Sequence, residues 1–246
     1  MNYTLILPCA QCKLRRLNAT REFSAEELET VQWFKCGDLE LQAGTEIVAT
    51  GAESPHLWTL YAGHAFRYVL LPDGRRQILN FLFPTDFIGL QASILEAAEH
   101  SVAALTDVHL CVFEKRHLTE VFRKVPDLGY DITWITANEM SFVDLNLVAV
   151  GQFRADERIA YLLFSFFERM RGLELHDGLS CSLPLKQQHI ADSLGLSLPY
   201  TNAALKRLVK DKLIALEGGR LVVLDWERFC ARAVMPIRVG RCVPFI

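Results

Sequence analysis

The hydrophobic positions of this chain change period along its length, and each change predicts a different kind of element. Residues 1–22 form a short leader, after which Ser24-Ala-Glu-Glu-Leu-Glu opens a helix, with Ser24 as N-cap and Glu27 completing a capping box. From about Leu39 to Phe113 the apolar runs are short: Glu46-Ile-Val-Ala, Leu57-Trp-Thr-Leu-Tyr, His64-Ala-Phe-Arg-Tyr-Val-Leu, Arg76-Gln-Ile-Leu-Asn-Phe-Leu and His109-Leu-Cys-Val-Phe. Turn residues separate them at intervals of about 8–12 residues, the spacing of an all-β barrel or roll. Pro72-Asp73-Gly74 predicts a hairpin turn. From Pro126 the period becomes helical. Ile132, Thr136, Met140, Val143, Leu147 and Val150 recur at steps of 3 and 4, with no Gly or Pro between Tyr130 and Val150. That stripe predicts a seam between two copies of the helix, or else one amphipathic helix packed on its own domain. Ala155 to Arg171, with Ile159, Leu162, Leu163, Phe166, Phe167 and Met170, predicts the core helix of a last domain.

Gln187 to Leu208 carries the most specific pattern. Ile190, Ala191 and Leu194 lie on one face of a first helix, Gly195 stands where the chain must turn with φ > 0, and Ser197 is an N-cap with Pro199 in the next first turn. Thr201, Ala204, Leu205 and Leu208 give the second helix an inner face. Helix, Gly-containing turn, helix is the spacing of a helix-turn-helix, and two ordinary packed helices are the plain alternative. The run Leu213 to Leu224, with Gly218-Gly219 at its centre, predicts a hairpin placed as a wing. Between Ser182 and Leu224 there are six basic residues (Lys186, Lys206, Arg207, Lys210, Lys212, Arg220) against three acidic ones (Asp192, Asp211, Glu217), a local charge of +3 in a chain of −3. A reversal of that kind is the footprint of a phosphate-binding surface.

Composition narrows the setting. With 246 residues, 51% of them hydrophobic and 22% charged, the chain has material for two small domains and is not expected to be disordered. No apolar stretch reaches the roughly 18–20 residues that span a bilayer, and the leader lacks a basic region ahead of its apolar stretch, so neither membrane insertion nor export is expected. Seven cysteines, an odd number, do not read as a disulfide framework, which points to reduced thiols in a cytoplasm.

In order along the chain stand Gly44, Leu60-Tyr-Ala-Gly63, Asp73-Gly-Arg-Arg-Gln-Ile-Leu79, Phe83-Pro-Thr-Asp-Phe-Ile-Gly89 and the run Leu183 to Ser197. That ordered set, covering nearly the whole chain, resembles the Crp/Fnr family of bacterial transcription regulators. The resemblance implies an α+β fold with an N-terminal β-roll (jelly roll) of the cyclic-nucleotide-binding type, a long dimerisation helix and a C-terminal winged helix-turn-helix. The corresponding domains are a Cys-containing leader at 1–22, a sensor roll at 23–125, the helix at 126–152 and the DNA-binding domain at 153–246. It also implies a homodimer on near-palindromic double-stranded DNA, controlled by a signal sensed in the roll, with RNA polymerase as a further partner.

The resemblance carries over residue by residue, with departures. Cyclic-AMP-binding members have Gly-Glu-Leu and then Arg-Ser in the effector pocket; here those places hold Gly89, Leu90 and Gln91, then His100 and Ser101. The carboxylate for a ribose and the guanidinium fork for a phosphate are both gone, so tight cAMP or cGMP binding is not expected. Fnr-type members hold a [4Fe–4S] cluster through Cys-x2-Cys-x5-Cys and a distant cysteine. Cys9, Cys12 and Cys111 match three of these, but Asn18 takes the remaining place and is a poor ligand, with Cys36 a substitute only if the leader folds back. An iron–sulfur or thiol-based oxygen or redox sensor therefore stands as the alternative, against cysteines that only pack.

In the second helix, Leu198, Pro199 and Ala203 replace the family's usual Arg-Glu and Arg, so the operator is expected to differ. Asn202 is the expected base reader, by a bidentate contact to adenine, and Leu198 and Tyr200 are placed to touch thymine methyls. Lys186, Gln187, Gln188, Ser197, Thr201 and Lys206 are expected at phosphates. A cupin-like metal enzyme would need a His-x-His pair, and His56, His64, His100 and His109 never form one, so no catalysis is expected.

Overall fold

The short apolar runs between Lys35 and Glu114 become strands that serve two cores at once. The structure is a computed structural model and describes residues 7–17 and 20–234. It divides into two units, the first made of the described parts of Met1–Val69 and Asn80–Ser141, the second of those of Leu70–Leu79 and Phe142–Gly240.

In the first unit, two short 3-10 turns at Cys9–Gln11 and Lys13–Arg16 precede helix α1 (Ala25–Phe34). The Ser24 hydroxyl accepts from the Glu27 N–H at 3.2 Å and the Ser24 N–H donates to the Glu27 carboxylate at 2.6 Å, which closes the capping box. Strands β1 (Lys35–Leu41), β2 (Glu46–Val48), β3 (His56–Ala62), β4 (Ala65–Leu70), β5 (Arg76–Leu82), whose residues 76–79 belong to the second unit, and β6 (Phe87–Ile88) follow. Helix α2 (Leu90–Ile94), strands β7 (Ser101–Ala104) and β8 (Val108–Glu114), and helix α3 (Leu118–Lys124) complete the roll. Two sheets form, in the orders β1-β8-β3-β6 and β2-β7-β4-β5.

Strand β8 explains why the runs read as continuously apolar. Val108, Leu110 and Val112 point into the core between the sheets with Trp58, Leu60 and Leu82. Cys111 and Phe113 point the other way, into a second core with Val31 and Phe34 of α1 and Val121 of α3. Alternate residues of one strand face opposite sides, so burial on both sides removes the polar half of the alternation. At the β3–β4 turn Gly63 has φ +85°, and a Cβ there would lie 2.1 Å from the Asp107 carbonyl oxygen, so no other residue fits without backbone movement.

Helix α4 spans Pro126–Gln152. Leu128 and Ile132 lie in the second core of the roll, and Ile132 is 2% exposed. This corrects the expectation for Ile132: the start of the stripe is already used within the chain, because α4 begins by covering the outer face of β8. Further along, Met140, Val143 and Leu147 stand 66%, 40% and 71% exposed, while Val150 is half-buried. The Thr136 hydroxyl turns back to donate to the Ile132 carbonyl at 2.9 Å.

The second unit is built on α5 (Ala155–Gly172), which buries Ile159, Leu163, Phe166, Phe167 and Met170. Around it stand β9 (His176–Asp177), β10 (Ser180–Ser182), α6 (Gln187–Leu194), α7 (Leu198–Lys210), β11 (Ile214–Glu217), β12 (Arg220–Val223) and α8 (Trp226–Ala233). Trp226 and Phe229 of α8 pack against Phe164 of α5, the first ring tilted and the second edge-on. The β11–β12 hairpin turns through Gly218 and Gly219, both at positive φ, and pairs Ile214 with Val223 through Glu217 with Arg220. Strands β9 and β10 extend that sheet to the order β11-β12-β10-β9. No apolar run marks these two strands in the sequence, although Asp177-Gly178 is a turn dipeptide whose Gly178 has φ +56°. The architecture is α+β: roll, long helix and winged helix-turn-helix in that order.

Candidate nucleic-acid interface

Helix α6 ends at Gly195, which takes the left-handed conformation at φ +63° and ψ +34°, and the chain re-enters a helix three residues later, at Leu198. Ser197 caps α7, its hydroxyl accepting from the Tyr200 N–H at 3.4 Å, and Pro199 fits the first turn, where no N–H is required. Thr201, Ala204, Leu205 and Leu208 are buried, so the rest of α7 faces outward. On that outer face Leu198, Tyr200, Ala203, Lys206, Arg207 and Lys210 are exposed. Lys186, Gln187 and Gln188 are exposed at the start of α6 and Ser197 at the start of α7. At the start of α6 the exposed Lys186 stands beside a helix N-terminus, an arrangement that attracts phosphate.

Two expected contacts need restating. Thr201 is 0% exposed and its hydroxyl has no hydrogen-bond partner among the described residues, so it cannot reach a phosphate. Its place in the step of 201, 204, 205 and 208 turns it into the unit's interior. Asn202 is half-buried with its Oδ1 covered and without a donor among the described residues. A turn about χ2 exchanges its two amide atoms, and a bidentate contact to adenine requires both to be presented. Gln188 is already engaged, its Nε2 donating to Asp192 Oδ1 at 2.6 Å. His189 has its pKa pushed down by burial and by the charges of Arg76 and Lys186. Its neutral Nδ1 accepts from the Lys186 N–H at 3.2 Å.

In the roll, Gly89, Leu90, Gln91 and His100 line one cavity together with Arg67 of β4 and Glu139 of α4. Ser101 is a correction: its hydroxyl is 2.9 Å from the Thr50 N–H and 3.1 Å from the Thr50 hydroxyl, so it braces β7 against the end of β2 instead of lining the cavity. Burial, and next the Arg67 charge, push the His100 pKa down to about 4, which leaves the imidazole neutral. The guanidinium missing from the family's usual place is replaced by Arg67 from a different strand, but Arg67 is ion-paired with Glu139. The only trace of that pair in the sequence is a charge inside the apolar run of β4.

The thiols converge more than their spacing foretold. Cys9, Cys12 and Cys111 line one cavity with Lys35. Lys35 Nζ lies 2.9 Å from Asp38 and donates to the Leu7 carbonyl at 3.0 Å, while Asp38 also accepts from the Leu7 N–H at 2.7 Å and stands 2.8 Å from His109 Nε2. Burial works against the Asp38 charge, but Lys35, His109 and the Leu7 N–H outweigh it and hold its pKa below the usual carboxylate range. Burial raises the pKa of Cys9 and Cys12, and that of Cys111 to about 12, so all three are neutral thiols at neutral pH. Among the described residues no three His, Cys, Asp or Glu side chains are grouped to hold a metal ion. Asn18 lies outside the described residues. The cavity brings three thiols and the Lys35 ammonium together, and a four-thiolate cluster would lack its fourth cysteine among the described lining residues.

A helix pair joined by a left-handed Gly turn and followed by a two-stranded wing defines a winged helix-turn-helix, and a β-roll precedes it in the chain. Comparison with known proteins agrees. Residues 38–125 match the cyclic nucleotide-binding domain family and residues 157–232 the Crp-like helix-turn-helix domain. The chain is similar to the transcriptional activator protein FnrL of Cereibacter sphaeroides, 29% identical over 234 residues that cover 94% of this chain and 93% of that protein. It is also similar to the transcriptional activatory protein AadR of Rhodopseudomonas palustris, 31% identical over 179 residues, 72% of this chain and 73% of the relative. Among solved structures, FixK2 from Bradyrhizobium japonicum matches with a TM-score of 0.73 at 22% identity, over 81% of this chain and 98% of that one. The chain belongs to the Crp/Fnr family and is a DNA-binding transcription regulator. No helix among its described residues is long and apolar enough to cross a membrane.

Proposed function

We propose that the protein acts in the cytoplasm as a homodimer, placing two α7 helices in successive major grooves of a near-palindromic operator. In this reading 126–152 is the dimerisation helix, 23–125 the sensor roll and 153–246 the DNA-binding domain. The carrying observation is the outer face of α7, where Leu198 and Tyr200 stand 40% and 51% exposed at the N-terminal end, with Lys206 a turn or two behind. Large apolar side chains on a charged helix find cover against thymine methyls, and the cation finds phosphate. The exposed Met140, Val143 and Leu147 support pairing through α4, since they repeat at helical steps of 3 and 4 and stay exposed among the described residues. A signal entering the roll would change the pairing of the two α4 helices and re-aim the α7 pair; contact with RNA polymerase would convert DNA binding into transcription.

The test is selection of bound sequences from a random duplex pool. An inverted repeat with half-sites about 10–10.5 base pairs apart centre to centre is expected. Asn202→Ala should relax the preference at one base pair in each half-site. A single unrepeated site would rule out the paired arrangement, and unchanged preference in the variant would remove Asn202 from base reading.

A further inference from the structure

The first helix of the DNA reader is held by a hairpin that lies far from it in sequence. Within the second unit, the Arg76 guanidinium donates from Nε to Asp192 Oδ2 at 2.8 Å, with Nη2 of the same fork 2.7 Å away. The Asp192 side chain is 12% exposed, so this is a largely buried charged contact. Next to Arg76, the Gln77 amide donates to the Ser193 carbonyl at 3.1 Å. Arg158 of α5 donates to the Leu194 carbonyl at 3.3 Å. These carbonyls end α6 and have no partner further along the helix, and cations and donors at that end also oppose the helix dipole. The other Asp192 oxygen accepts from Gln188, one turn back and at the exposed start of α6.

We propose that Arg76 and Gln77 are positioning residues for DNA reading: they clamp the end of α6, neutralise Asp192 and so hold Gln188 where it meets the phosphate backbone. The inference rests on the reading above in placing the start of α6 at DNA. Without Arg76, the Asp192 carboxylate stands uncompensated one turn from the phosphate-facing end. It repels the backbone and pulls Gln188 aside. Arg76 itself touches no phosphate in this arrangement. It acts through Asp192, and residues 70–79, which carry it, become part of the reading head.

The experiment uses the full chain, with R76A, R76Q, D192N and R76A/D192N, on random-sequence duplex DNA across a salt series. R76A and R76Q should each weaken binding about tenfold, the scale of one charged hydrogen bond, with the salt slope unchanged. D192N should bind close to wild type, and R76A should cost nothing further in the D192N background. Equal loss in both backgrounds, no loss at all, or a slope reduced by about one, which marks a direct phosphate contact, would each overturn the proposal. Amide exchange on DNA-free protein separates the two readings. Faster exchange across 187–194 in R76A upholds the clamp, and unchanged exchange refutes it. A wild-type protein that binds no duplex would defeat the nucleic-acid reading instead.

Discussion

At the scale of single residues, neighbours decide what a side chain can do. Thr201 sits in the helix proposed to read DNA, yet its buried hydroxyl lacks a partner among the described residues. Replacing that hydroxyl with a methyl removes an uncompensated desolvation cost, so Thr201→Val should raise stability by about 1 kcal/mol in urea unfolding and leave DNA affinity alone. Lys206→Ala should instead weaken binding to all sequences alike and lower the salt slope by about one. Weakened DNA binding in Thr201→Val would return that residue to the interface. His100 makes a pH prediction. Its pKa is pushed down to about 4 in the fold, and in the unfolded chain it is about 6.5, so the unfolded chain takes up the proton first. Stability from this group is complete above about pH 6.5 and falls as the pH drops toward about 4. His100→Asn should flatten that fall between pH 7 and pH 5, and an identical pH profile would show that another group causes it.

At the scale of elements, periodicity and punctuation were legible where they depend on neighbours within a turn. The Ser24–Glu27 box, the Ser197 cap and the left-handed Gly195 are all local devices, and each stands where its residues call for it. The β3–β4 turn depends on a local and a distant cause together. Gly63 has φ +85°, and the Asp107 carbonyl lies where its Cβ would be. Gly63→Ala should therefore cost at least about 1–3 kcal/mol, read from the shift of the urea midpoint. A shift within the error of the measurement would mean that the turn relaxes freely. Strands β9 and β10 escaped notice because Ser180–Ser182 is too short and too polar to carry a period. Its place comes from pairing Ser180 with Val222 and Cys181 with Leu221.

At the scale of the whole molecule, α4 connects the roll's core to the proposed partner. Met140→Glu places a charge in the exposed stripe and should shift the protein to monomer in sedimentation while the roll stays folded. A dimer of unchanged strength would move the interface elsewhere. The sequence alone determined the order of roll, long helix and winged reader, since apolar period, turn residues and caps act over a few positions and do not need the rest of the chain. It also determined the family, through motifs that keep their order. Only the tertiary structure decided which side of a two-sided strand faces which core, that Ile132 spends its surface inside the chain, and that Thr201 points inward. Only chain closure could bring Lys35 and Asp38 beside His109, or Arg76 onto Asp192 across a separation of 116 residues. A charged side chain in the sequence carries no address for its partner. The address is set when apolar faces pack and the remaining polar groups must find hydrogen bonds where they lie.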